Sequence, residues 1–155
     1  MKNFFTKLTK SAIILLSAVT IASCSEEETT PKVTTDEIAA DEIRLSVDIK
    51  APGVATTDVY HLAGSFTAPN TWVENGPYTL TKTEDGKFYI DLKASMIDGG
   101  KELQYKLQRN GKWTYVEKSA ACAEIDNRVL AVTGNLGKEV KITVDAFRNT
   151  GSCPD

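Results

Sequence analysis

The sequence predicts an all-β fold, an antiparallel β-sandwich, on three observations. Apolar and polar residues alternate with period two over many short stretches. No stretch of the globular part sustains a helical period, with residues 94–97 at best a single turn. Turn-forming pairs such as Asn110-Gly111 and Asp85-Gly86 fall between the stretches. Period two puts every second side chain on one face of a pleated strand. Many such strands joined by tight turns bury their apolar faces against each other as two sheets.

Ahead of the strands lies a segment of different character. Lys2, Lys7 and Lys10 make a basic start, and Ala12 to Ala22 form an apolar run. The run is shorter than the roughly 20 residues needed to cross a bilayer and is diluted by Ser17 and Thr20. This is the pattern of a cleaved secretory signal over residues 1–23. Ile21-Ala22-Ser23-Cys24 resembles the lipobox of bacterial lipoproteins, which implies that Cys24 becomes the acylated first residue of the mature chain. Acyl chains contribute about 0.8 kcal/mol per buried methylene, and several of them hold a protein at a membrane. Ser25-Glu26-Glu27-Glu28 resembles the surface-export tag of some Gram-negative lipoproteins, implying an outer-membrane protein at the cell surface; a solvated charge run is the plainer alternative. Residues 24–41 are acidic, Thr-rich and interrupted by Pro31, and read as a flexible tether.

The domain is expected over residues 42–155. Ile43, Leu45, Val47 and Ile49 alternate with Glu42, Arg44, Ser46, Asp48 and Lys50 in the first strand. Further strands are predicted at 58–64, 77–83, 87–93, 102–109, 112–117, 128–133 and 138–147. The Glu84-Asp85-Gly86 loop sets a three-residue hairpin that pairs Lys82 with Phe88, Leu80 with Ile90 and Tyr78 with Leu92, with Gly86 in the left-handed position. Asn110-Gly111 predicts a two-residue type I′ turn that sets Arg109 opposite Lys112, Gln108 opposite Trp113 and Lys106 opposite Tyr115. Gln104, Lys106, Gln108, Trp113, Tyr115 and Glu117 then share the outward face.

Composition narrows the function. The chain carries 18 basic and 21 acidic residues. The signal takes three lysines, leaving 15 against 21 and a net charge of −6 in 132 residues. Nucleic acid is a poor partner for such a surface. With Cys24 acylated, Cys122 and Cys153 are the remaining thiols, and outside the cytoplasm they are expected to pair. No CxxC occurs and His61 is the single histidine, so neither a metal nor a cofactor is expected. No catalytic constellation stands out, and His61 reads as a strand histidine bonded to its neighbours. The chain is expected not to be an enzyme.

The outward face of residues 102–117 offers another chemistry. Trp113 and Tyr115 beside Lys106 and Gln108 combine stacking surface with hydrogen-bonding groups, the two kinds of contact a sugar presents. Packing of Trp113 against other protein is the alternative. Trp72, between Pro69-Asn70 and Asn75-Gly76-Pro77, is a second aromatic candidate, with folding onto the core as its alternative.

Several short segments add a resemblance. Val59-Tyr60-His61-Leu62-Ala63-Gly64-Ser65-Phe66, Trp72 and Tyr78-Thr79-Leu80, with Glu102 to Leu107 and then Trp113 to Glu117 and Asp126-Asn127-Arg128, resemble starch-binding domains of the carbohydrate-binding module family 20 type. The resemblance covers residues 57–148. It implies an immunoglobulin-like sandwich and a sugar site in which Trp72, Lys106 and Asn127 correspond residue by residue. The family's second tryptophan directly precedes a glutamate. Here Val116 precedes Glu117, and Trp113 lies four positions before it. The expectation is therefore non-catalytic glycan binding, with α-glucan the polymer implied, through Trp72, Lys106, Gln108, Trp113, Tyr115 and Asn127. Polysaccharide or oligosaccharide, the membrane and outer-membrane glycan-uptake proteins are the expected partners. The rival expectation is a structural or assembly lipoprotein using the sandwich for protein contacts. Two exposed indoles on one surface, roughly 10 Å apart, would favour the binding module.

Overall fold

The structure, a computed structural model, describes residues 37–151, 153 and 154. The expected signal segment, Cys24 and the tether up to residue 36 lie outside the described residues. The rest is an all-β sandwich of open sheets. Its strands are β1 (Glu42–Ile49), β2 (Tyr60–Gly64), β3 (Thr81–Lys82), β4 (Phe88–Lys93), β5 (Glu102–Arg109), β6 (Glu117–Lys118), β7 (Arg128–Ala131), β8 (Lys138–Val144) and β9 (Ala146–Phe147). One sheet has the order β3-β4-β1-β8, the other β2-β5-β7, and β6 pairs with β9.

The alternation read from the sequence is the one that fills the core. Ile43, Leu45 and Val47 of β1 meet Leu62 of β2 and Leu103, Tyr105 and Leu107 of β5 in one buried cluster, with Val144 and Phe147 closing it. Fully burying such a side chain is worth about 1.5–3 kcal/mol, so this face dominates the stability of the fold. One pairing departs from the expected antiparallel plan: β8 runs parallel to β1, with Leu45 beside Val140 and Val47 beside Ile142. Parallel register keeps Val140, Ile142 and Val144 on the core side, so the alternation is satisfied in either direction.

The two turn-based registers fare differently. Lys82 pairs with Phe88, and Thr83 N–H donates to the Lys87 carbonyl while Gly86 N–H donates to Thr83. Gly86 has φ 81°, so the three-residue loop with a left-handed glycine is present as expected. Upstream, however, residues 77–83 do not form one strand. Leu62 N–H bonds the Tyr78 carbonyl and Leu80 N–H bonds Tyr60, so this segment lies on β2 before crossing to β4. The expected pair of Tyr78 with Leu92 is therefore absent.

At Asn110-Gly111 the turn itself forms: both residues have positive φ, and Lys112 N–H donates to Arg109 at 3.3 Å. The strand expected after it does not. Trp113–Tyr115 is a 3-10 turn, and the ladder resumes with Gln108 opposite Val116 rather than Trp113. The Glu74 carboxylate, 39 residues away, accepts the Trp113 N–H at 2.7 Å, a stronger acceptor than a neutral strand carbonyl. The last predicted strand is likewise split. It breaks at Asp145, and β9 then pairs with β6, Phe147 opposite Glu117.

Gly64 ends β2 under close approach. A Cβ there would lie 2.4 Å from the Gln104 carbonyl oxygen and 2.9 Å from the Tyr105 Cβ. Gly64→Ala is expected to cost about 2–3 kcal/mol through overpacking against backbone. Gly86→Ala, which meets only its own positive φ and open space, is expected to cost about 1 kcal/mol. Thermal denaturation of both variants checks the order; equal losses would contradict it.

Candidate glycan-binding cleft

The outer face of the β2-β5-β7 sheet carries an open depression of about 340 Å³ lined by Trp72, Lys106, Trp113, Val116, Glu124, Asn127 and Arg148. These residues come from separate segments, so their convergence needs explaining.

Trp72 is delivered by the loop after β2. Its N–H donates to the Gly64 carbonyl at 2.9 Å, and its backbone takes φ 53°, a left-handed conformation unfavourable for a bulky residue. Trp113 is delivered by the loop after β5. The two loops interlock: Asn75 N–H donates to Gly111 at 2.7 Å, and Gly111 lies so close that a Cβ would come within 2.7 Å of the Asn75 Cα. Glu74 takes the Trp113 N–H and stands 3.8 Å from Lys112. The outcome is two half-buried indoles with centroids 6.3 Å apart and planes 27° from parallel, an offset arrangement. This separation is shorter than the roughly 10 Å expected.

Lys106 projects from β5 on the outward face, as its register requires. Its ammonium donates to the Ile125 carbonyl at 2.5 Å, tying β5 to the loop that carries Glu124 and Asn127. Asn127 is exposed. The same loop is fixed by the disulfide between Cys122 and Cys153, the pairing expected, with Cα atoms 5.3 Å apart at a sequence separation of 31. Closing a loop of that length contributes roughly 3–4 kcal/mol in the chain-entropy model. Glu124 accepts from Lys118 at 2.5 Å and from Arg148, and the Lys118 hydrogen bond is foremost in holding its carboxyl below the usual range. Arg148 follows β9, and its N–H donates to Val116 at 2.9 Å.

Beneath the cleft, Glu117 is completely buried. Its carboxylate accepts the Leu107 N–H at 2.9 Å and the Arg128 Nε–H at 2.8 Å. Arg128 also donates to the Thr143 carbonyl at 2.7 Å. Burial pushes the Glu117 carboxyl above its ordinary value, and Arg128 and the Leu107 N–H pull it partly back.

Of the six residues expected at a sugar site, Trp72, Lys106, Trp113 and Asn127 meet here, and two do not. Gln108 is 0% exposed, with its side-chain Nε2 and Oε1 both lacking a hydrogen-bond partner. Its strand neighbours His61 and Val116 are buried with it, so it cannot touch a ligand. Tyr115 is half-buried, turned toward Arg109, whose guanidinium lies 6.0 Å from its ring, and does not line the cleft. The 3-10 turn that replaces the expected strand takes Tyr115 off that face, whereas Gln108 keeps its outward register and is covered. Val116, Glu124 and Arg148 were missed, because no spacing motif links them. His61 is buried, with Nδ1 3.0 Å from the Gly76 carbonyl and 3.2 Å from Thr79 Oγ1, the structural role expected of it. Among the described residues, no group of three or more His, Cys, Asp or Glu could hold a metal.

Fold and site thus define a class: a β-sandwich with an aromatic-lined cleft on the outer face of one sheet. No protein-family model and no curated protein matches the sequence. Among solved structures, the chain is similar to a glycoside hydrolase family 15 glucoamylase from Hypocrea jecorina, at 15% identity and a TM-score of 0.45. The similarity covers 74% of this chain and 19% of that one.

Arg128→Met leaves a buried carboxylate without its cation and is expected to cost about 3–5 kcal/mol at pH 7. A carboxyl whose folded value lies above its unfolded one favours the fold when protonated, so stability falls as pH rises from about 4.5 upward. Losing Arg128 raises the folded value further. The gap between variant and parent should therefore narrow from pH 7 to pH 4 in urea denaturation; a constant gap would contradict the pairing.

Proposed function

We propose that this chain is a glycan-binding lipoprotein that captures polysaccharide at the cell surface without cleaving it, for other proteins of an uptake or degradation system. The observation that carries the reading is the pair of near-parallel, half-buried indoles, Trp72 and Trp113, lining one open depression with Lys106 and Asn127. Indole faces stack on the C–H surface of a sugar, while an ammonium and an amide bond its hydroxyls. The left-handed backbone at Trp72 supports the same reading. A conformation unfavourable for a bulky side chain is held in place by the surrounding bonds, as is common where a side chain is aimed for use.

The resemblance to starch-binding domains agrees with this reading at Trp72, Lys106 and Asn127, and the 3-10 turn bears on its one mismatch. By shortening the path from Trp113 to Val116, the turn lets both residues line the cleft although Trp113 lies four positions before Glu117. The lipid anchor on Cys24 rests on the sequence of the signal segment alone. Open sites of this kind bind weakly, with a dissociation constant of roughly micromolar to millimolar, about −8 to −4 kcal/mol.

Affinity electrophoresis of the full-length protein, in mild detergent and in gels containing starch, glycogen, xylan or pectin, tests the reading. At least one polymer should retard the band. Trp113→Ala should then weaken the interaction about tenfold or more, as truncation of a central aromatic anchor does. Unretarded migration in every gel would sink the glycan reading and favour the scaffold rival.

A further inference from the structure

The cleft carries a cation, Arg148, that the contacts proposed above for a neutral polymer leave idle. Lys106 and Arg148 line it, Lys118 bonds to its rim at Glu124, and Glu124 is the single carboxylate of the lining. Asp126, next in sequence to Asn127, is exposed and does not contribute to the lining. Two cations, Lys106 and Arg148, thus line the cleft against one carboxylate that Lys118 also neutralises from outside the lining, in a chain whose overall net charge is −3. General composition therefore does not account for a positive cleft.

We propose that the cleft selects a glycan whose units carry an anionic group, a uronic-acid carboxylate or a sulfate ester, with Arg148 as its receptor. This proposal rests on the glycan-binding reading and narrows its ligand class. Arg148 is suited to the role because a guanidinium presents a planar fork of donors to carboxylate or sulfate oxygens. Its present partner is easily displaced. The Arg148 side chain is 34% exposed and that of Glu124 59%, and exposed ion pairs of this kind contribute little. Glu124 keeps Lys118 when Arg148 turns to the ligand, so no buried charge is stranded. Trp72 and Trp113 stack on the sugar ring while Arg148 takes its anionic substituent, a division of contacts that a neutral glucan cannot use in full.

Two matched pairs of polymers test this with the full-length protein in mild detergent: polygalacturonate against its fully methyl-esterified form, and dextran sulfate against dextran. In affinity gels the anionic member of at least one pair should bind about tenfold more tightly than its neutral counterpart. Retardation by polygalacturonate assigns a carboxylate, and retardation by dextran sulfate alone assigns a sulfate. Arg148→Gln should remove that preference, Arg148→Lys should restore part of it, and Glu124→Gln should strengthen it by removing the competing carboxylate. Circular dichroism keeps loss of fold apart from loss of binding. Equal retardation by both members of each pair would overturn the anionic selection and leave glycan binding standing. A preference that survives Arg148→Gln would likewise overturn it, as general charge attraction. No retardation in these gels or in starch, glycogen and xylan would overturn both.

Discussion

The carboxylate of Glu117 occupies a gap in the sheet. Along one edge of β5, Tyr105 is paired with Arg128 of β7 and Gln108 with Val116. Leu107 lies between them, and its N–H is met by the Glu117 side chain. Arg128 neutralises that carboxylate and reaches on to Thr143 of β8, linking the edge of one sheet to the other. A fully buried carboxylate is costly to desolvate, and only such a set of partners makes it tolerable. In return, the chain from Val116 to Lys118 is held against β5 at a fixed register. Everything above it depends on that register.

From this anchor the cleft follows by connection. Upstream, the 3-10 turn hands the chain back to Trp113, whose N–H is taken by Glu74 in the loop that carries Trp72. Downstream, the loop to β7 is held at Cys122 by the disulfide, at Ile125 by Lys106 and at Glu124 by Lys118 and Arg148. The indole pair and the loop that carries Asn127 are thus set on a rigid sandwich by bonds between loops, leaving Arg148 as the group that moves to its ligand. A site that must take a solvated polymer without closing over it gains from such preorganisation, since little freedom is left to lose on binding.

How much of this was legible in the sequence depended on how local the deciding interaction was. β1, β5 and β8 could be read because each buries one face, so alternation alone fixes what points inward. The loop at Gly86 could be read because its geometry is set by adjacent residues. The strand expected at 112–117 failed although Trp113, Thr114 and Tyr115 favour strands, because its backbone is captured by a carboxylate distant in sequence. Gln108 was placed outward correctly, yet loops cover it, and no pattern within its own strand records a cover. Lys106 could be read from its register and Trp72 from its turn-rich loop, and Asn127 came from a resemblance, whereas Glu124 and Arg148 meet only because the disulfide and β9 bring two remote segments together. The direction of β8 was hidden for a simpler reason: parallel and antiparallel neighbours can bury the same alternating residues.

The chain contains two tryptophans, so an 15N-labelled sample shows two indole N–H signals. Titrating the protein with oligogalacturonate, and separately with maltoheptaose, while following both signals tests directly whether the indole pair is the ligand surface. Both should shift together, saturating along one curve with at least one of the two sugars. Saccharide binding that moves signals elsewhere while both indoles stay fixed would contradict the assignment of the cleft.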